Sequence, residues 1–126
     1  MSTKASPSKE APQQASRPLA EAKADLFKAL ANPARIRIVE VLGVGTFSVG
    51  EIQLRLGLEP SHLSQQLGVL RRAGLVTGNR RGTSVIYSLK DPAVSEVLAV
   101  AKRVLLSSLE ETSSLLADLA SETEQG

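Results

Sequence analysis

FSVGEIQLRLGLEPSHLSQQLGVLRRAGLVTGNRRGTSVIYSLK, residues Phe47 to Lys90, is the stretch that decides the fold. Ser48 and Glu51 stand at the S-x-x-E spacing of a capping box, and Phe47 and Ile52 occupy the positions of a hydrophobic staple, so a helix starts here. It runs to Leu56, where Gly57 supplies the left-handed residue that ends a helix. Pro60, suited to a first helical position, opens the next helix after a turn of only Gly57, Leu58 and Glu59. Two short helices joined by so tight a turn read as a helix-turn-helix.

The second of these helices, expected from Pro60 to Ala73, buries Leu63, Leu67 and Leu70, which recur at helical spacing. Its other side is uncharged and polar: Ser61, His62, Ser64 and Gln65, with Gln66 at the flank and Arg71 and Arg72 closing the helix. A surface helix normally carries charge on its wet face. Short hydrogen-bonding side chains there suit a helix that reads base edges in a major groove, against the plainer alternative of an ordinary face of small residues. Gly74 ends the helix, and two strands, Leu75 to Arg80 and Thr83 to Leu89, fold about an Arg81-Gly82 turn into a wing. Arg80 and Arg81 at its tip are placed to meet backbone phosphate or a minor groove; a solvated turn with two charges is the alternative.

The charge pattern agrees with this assignment. Residues 61 to 90 hold five basic side chains and no acidic one, whereas residues 91 to 126 hold seven acidic and two basic. The net charge of +2 argues nothing by itself; a segregated basic segment is the footprint of a phosphate-facing surface.

Outward from the central stretch, Leu19, Ala22, Leu26, Phe27, Ala29 and Leu30 mark a first helix from Leu19 to Ala31. Asn32 and Pro33 then cap and open a second, with Ile36, Val39 and Leu42 inward and Gly43 and Gly45 ending it. Residues 1 to 18, with Pro7, Pro12 and Pro18 and one large apolar residue, are expected to be a disordered arm. Downstream, Asp91-Pro92 starts a last helix to about Ala120, and residues 121 to 126 are expected to be a flexible tail. Val94, Leu98, Ala101, Leu105, Leu109, Leu116 and Leu119 form one stripe along it. At 1.5 Å per residue this helix is roughly 45 Å long, more than so small a domain covers, and its apolar face is expected to pack on its twin in a symmetric dimer. The winged helix-turn-helix domain is thus placed at residues 19 to 120, mainly α within an α+β plan: five helices with a two-stranded hairpin wing.

The chain has no cysteine, which excludes disulfides, thiolate nucleophiles and thiolate metal sites. Its uncharged runs reach about ten residues, short of the roughly 20 that span a bilayer, so a cytoplasmic protein is expected, without membrane contact. One histidine and no convergent pair of carboxylates leave no nucleophile and base to assemble, so no enzyme is expected.

The phrases LFKALANPARIRIVEVL (26–42), SVGEIQLRLGLEPSHLSQQLGVLRRAGLV (48–76) and RRGTSVIYSL (80–89) together resemble the ArsR/SmtB family of bacterial winged-helix repressors. The resemblance covers roughly Leu19 to Leu119. It implies a homodimer with the fourth helix in the major groove and the first and fifth helices at the interface, which draws in Leu19, Ala22 and Leu26 beside Leu98, Ala101, Leu105, Leu109 and Leu116. Carried over, Ser61, His62, Ser64, Gln65 and Gln66 fall where the family contacts DNA, with Gln65 and Gln66 in place of a common His-His pair.

The departures are as informative. Many members sense metals through cysteines near the third helix, or through a D-x-H…H-x-x-E/H set on the fifth. Counting that spacing from Asp91 meets Ala93, Val104 and Ser107. No metal site and no cofactor are therefore expected, and imidazole or thiolate donors are what tight transition-metal binding needs.

Two functions are expected to compete. The first is a sequence-specific transcriptional regulator, a repressor acting as a homodimer on double-stranded DNA at a pseudo-palindromic operator. The second is a winged-helix interaction module or co-regulator, whose effector, including any metal, is sensed by a regulatory partner protein.

Overall fold

The computed structural model describes the backbone of residues 5–125 and the side chains of residues 18–123. The element order is α1 (Ala5–Leu30), α2 (Pro33–Leu42), β1 (Phe47–Ser48), α3 (Val49–Leu56), α4 (Pro60–Arg72), β2 (Val76–Arg81), β3 (Ser84–Leu89) and α5 (Ala93–Gln125). This is a mainly helical winged helix in which five helices pack with one antiparallel sheet.

The helix starts follow local chemistry. Asn32 Oδ1 accepts from the amides of Ala34 and Arg35 at 2.9 and 3.1 Å, capping α2. Ser48 Oγ accepts from the Glu51 amide at 3.2 Å while Glu51 Oε1 accepts from the Ser48 amide at 2.8 Å, so the capping box closes in both directions. Gly57 ends α3 at φ 66°, a left-handed position that favours glycine. Asp91 Oδ1 accepts from the Ala93 amide at 2.9 Å and opens α5.

The core gathers Leu30, Ile38, Val39, Leu42, Ile52, Leu63, Leu67, Leu70, Val76 and Val94 from all five helices and β2. Leu63, Leu67 and Leu70 are buried as their spacing predicts. Burying three leucines is worth roughly 5–9 kcal/mol, comparable with the whole net stability of such a domain. Turning α4 by one residue, about 100°, would expose them, so this stripe fixes which side of α4 faces outward.

Several expectations are corrected. The sheet has three strands, because Phe47 and Ser48 pair antiparallel with Tyr87 and Ile86, giving the order β1-β3-β2. The hairpin turn lies one residue later than expected: Arg81 pairs with Ser84, and Gly82-Thr83 form the loop. Of these two loop residues Gly82, not Thr83, takes a positive φ, 63°, the pattern of a type II′ turn with glycine first. Ile36, expected inward, is only half-buried and lines a groove of about 350 Å³ between α2 and α5.

The two long helices exceed their expected limits. α5 continues to Gln125 instead of ending near Ala120, since residues 121 to 125 contain neither glycine nor proline to stop it. The α1 backbone is helical from Ala5, ahead of Leu19 where the first helix was expected to start, and the stretch before Leu19 carries Pro7, Pro12 and Pro18. The rest of that arm, residues 1 to 4, and Gly126 of the tail lie outside the described residues.

Candidate nucleic-acid interface

α4 presents Ser61, His62, Ser64 and Gln65 to solvent on the side opposite its leucines. Gln66 is not among them. It is 8% exposed, and its Oε1 accepts from Arg35 Nη1 at 2.8 Å. Its position explains this: Gln66 follows Leu63 by three residues and precedes Leu70 by four, on the edge of the buried stripe.

The start of α4 is held by a residue whose role was not foreseen. Glu59 is the N-cap: its carboxylate accepts from the Ser61 amide at 3.2 Å, the Ser61 hydroxyl at 2.6 Å and the His62 amide at 3.2 Å. The Ser61 hydroxyl, then the Ser61 and His62 amides, hold the Glu59 carboxyl below its ordinary range. Capping preferences centre on Ser, Thr, Asp and Asn, so a glutamate in the turn carried little signal.

Arg71 and Arg72 are exposed in the last turn of α4, where cations complement the helix dipole. Arg72 lies back along the helix: a Cβ on Gly68 would stand 3.2 Å from its Nη1. Ser61, Gln65, Gly68 and Arg72 share one stripe, so the missing side chain at Gly68 lets a guanidinium run along the polar face.

The wing arginines occupy opposite faces of the sheet. Arg80 pairs with Val85 on the side of Val76, Tyr87 and Leu89, which pack on the core. Arg81 pairs with Ser84 on the side of Asn79, Ile86, Thr77 and Ser88, where Thr77 Oγ1 and Ser88 Oγ share a hydrogen bond of 3.1 Å. The Tyr87 ring covers Gly78, where a Cβ would meet Cε1 at 3.0 Å. Two further arginines flank the motif unannounced: Arg37 Nη2 donates to the Leu56 carbonyl at 3.1 Å, and the Arg55 guanidinium stacks 4.2 Å from the Phe47 ring centroid.

The expected dimer residues divide into two groups. Leu26 and Leu98 are half-buried and pack against the core of their own chain. Leu19, Ala22, Ala101, Leu105, Leu109 and Leu116 are exposed, as is every residue of α5 from 99 to 123. Phe27, Val100, Val104, Leu106, Leu115 and Leu119 add to this uncovered apolar surface. Among the described residues no group of three or more His, Cys, Asp or Glu side chains is arranged to hold a metal ion, and no helix is long and apolar enough to cross a membrane. The positions of the fifth-helix metal pattern, Asp91, Ala93, Val104 and Ser107, offer one carboxylate and no imidazole, a donor set that does not fit such an ion.

The sequence and fold resemble those of known proteins. A helix-turn-helix domain family matches residues 30–79. Rv0081, an HTH-type transcriptional regulator of Mycobacterium tuberculosis, is 52% identical over 105 residues, covering 82% of this chain and 92% of the relative. Its crystal structure superposes with a TM-score of 0.68 at 53% identity, over 75% of this chain and 96% of that one. The crystal structure of the transcriptional repressor BigR from Xylella fastidiosa superposes at 0.66 with 33% identity, over 73% and 94% of the two chains. The homodimeric winged helix-turn-helix DNA-binding domain of Mb0332 from Mycobacterium bovis, described as a possible ArsR-family regulator, superposes at 0.68 with 30% identity, over 76% and 89%.

Proposed function

Because the chain belongs to the ArsR/SmtB family of winged helix-turn-helix transcriptional regulators, we propose that it is a sequence-specific repressor that acts in the bacterial cytoplasm as a homodimer on a pseudo-palindromic operator. The observation that carries this reading is the exposed, uncharged face of α4, held outward by the burial of Leu63, Leu67 and Leu70.

In this reading α4 lies in the major groove, and Ser61, His62, Ser64 and Gln65 meet base edges. Gln65 has the amide needed for a bidentate contact to adenine. Arg71, Arg72, Arg80 and Arg81 meet phosphate, which positions the protein without choosing a sequence. Two copies joined through α5 and α1 present two reading helices related by a two-fold axis, matching half-sites about one helical turn apart. The repressor function follows the name of BigR; the homodimer follows the description of Mb0332.

A second reading, a co-regulator whose signal is sensed by a partner protein, is favoured by one feature. Residues 99 to 123 of α5 form an exposed helix with Leu105, Leu109, Leu115, Leu116 and Leu119 uncovered, more apolar surface than the domain itself uses. A gel shift with genomic fragments over a range of salt separates the two. The repressor retards a specific fragment alone, with affinity falling steeply as salt rises; the co-regulator retards none without its partner.

A further inference from the structure

The Arg35 guanidinium makes three hydrogen bonds, all to neutral oxygens. Its Nε donates to the Ala29 carbonyl at 2.6 Å, Nη2 to the Lys28 carbonyl at 3.3 Å and Nη1 to Gln66 Oε1 at 2.8 Å. Lys28 and Ala29 lie in the last turn of α1, where a cation is favoured by the helix dipole. One planar guanidinium thus fastens the C-terminus of α1 to α4 from its seat on α2.

Gln66 is the buried polar residue on the underside of α4, adjacent in sequence to the exposed Gln65. Apolar burial decides which side of α4 is inside, but it is non-directional. A hydrogen bond to a fixed fork is directional, and base-edge contacts weaken steeply with small misalignment. We propose that Arg35, acting through Gln66, is a positioning residue for sequence reading: it sets the axial placement of α4 relative to α1, and so couples the helix carrying exposed Leu19 and Ala22 to the helix that meets bases. This rests on the DNA-reading function proposed above. It assigns Gln66 a role beneath the reading face instead of on it.

The test measures the affinity of full-length protein for its operator and for a scrambled duplex of equal length, with thermal unfolding in parallel. Arg35→Lys and Gln66→Leu each lower the operator-to-scrambled ratio about tenfold, with the loss spread over the half-site and the scrambled-duplex affinity and salt slope unchanged. The double variant loses no more than either single one, because both break the same contact. Gln66→Glu, which still accepts from Arg35, keeps the ratio within about twofold. Folded Arg35→Lys and Gln66→Leu proteins that melt earlier yet keep the ratio would overturn the proposal, since scaffolding alone predicts that result. A loss confined to one base pair would also overturn it, by returning Gln66 to direct contact. If the wild type prefers no duplex, the DNA-reading function falls and the positioning role falls with it, whereas a selective wild type with unaffected variants removes the positioning role alone.

Discussion

Glu59 and Ser61 are joined twice at the start of α4: the Glu59 carboxylate accepts from the Ser61 amide at 3.2 Å and from its hydroxyl at 2.6 Å. The Ser61 proton is therefore engaged within the free protein, and its oxygen is the atom left to meet a partner. The same contact makes the helix start depend on a charged carboxylate. Its pKa is lowered on folding, so its stabilising contribution is fully present above the ordinary value of 4.5 and is lost as pH falls through the lower folded value. The stability difference between wild type and Glu59→Gln, measured by chemical denaturation, is expected to stay constant from neutral pH to about pH 5 and to shrink below 4.5. A difference independent of pH down to 3 would contradict this, and because Glu51 is shifted in the same direction, only the comparison with the variant isolates Glu59.

The opposed placement of Arg80 and Arg81 leads to a second expectation. Side chains on the two faces of a wing tip reach different phosphates, so each replacement by alanine should weaken operator and scrambled DNA alike and reduce the salt slope by about one unit, with about two lost in the double variant. Salt-titrated anisotropy measures this. If one replacement leaves the slope unchanged, only one face of the wing meets the backbone.

Leu105 and Leu109 are each 64% exposed, so replacing either with glutamate removes little from the core of its own chain. Leu105→Glu and Leu109→Glu should sediment as folded monomers at concentrations where the wild type is dimeric. Their operator affinity should fall by a factor of about 100 or more, as expected when a linked second contact is lost. Dimeric variants would place the interface elsewhere, and a monomeric wild type would remove the homodimer from the proposal.

Much of this architecture was legible because its signals are local. Asn32-Pro33, Ser48 with Glu51, Gly57 and Asp91 mark helix starts and ends within three or four residues, and the Leu63, Leu67, Leu70 stripe orients α4 without knowledge of any other element. What was missed depends on distant partners. A two-residue strand, Phe47-Ser48, has no period of its own and exists only because β3 passes beside it. The hairpin slipped by one residue because Arg-Gly and Gly-Thr are both plausible turn pairs, and the register with Val76 and Leu89 chose between them. Arg35 and Gln66 are 31 residues apart, and a glutamine beside Gln65 looks like a surface residue until the arginine beneath it is placed. Glu59 and Gly68 escaped notice for another reason: their roles are set by atoms, a carboxylate reaching back to Ser61 and an arginine folding over a missing Cβ, that residue type alone does not announce.

If the exposed polar face of α4 chooses the sequence, replacing Gln65 changes which bases the protein prefers. Wild type and Gln65→Ala should be compared on an operator set in which every base pair of one half-site is changed in turn. If Gln65 reads adenine, the variant loses about 1–3 kcal/mol on the native operator and becomes indifferent to the base at one position, with the pattern elsewhere unchanged. Equal binding of the two proteins to every operator in the set would reject Gln65 as a reader of bases.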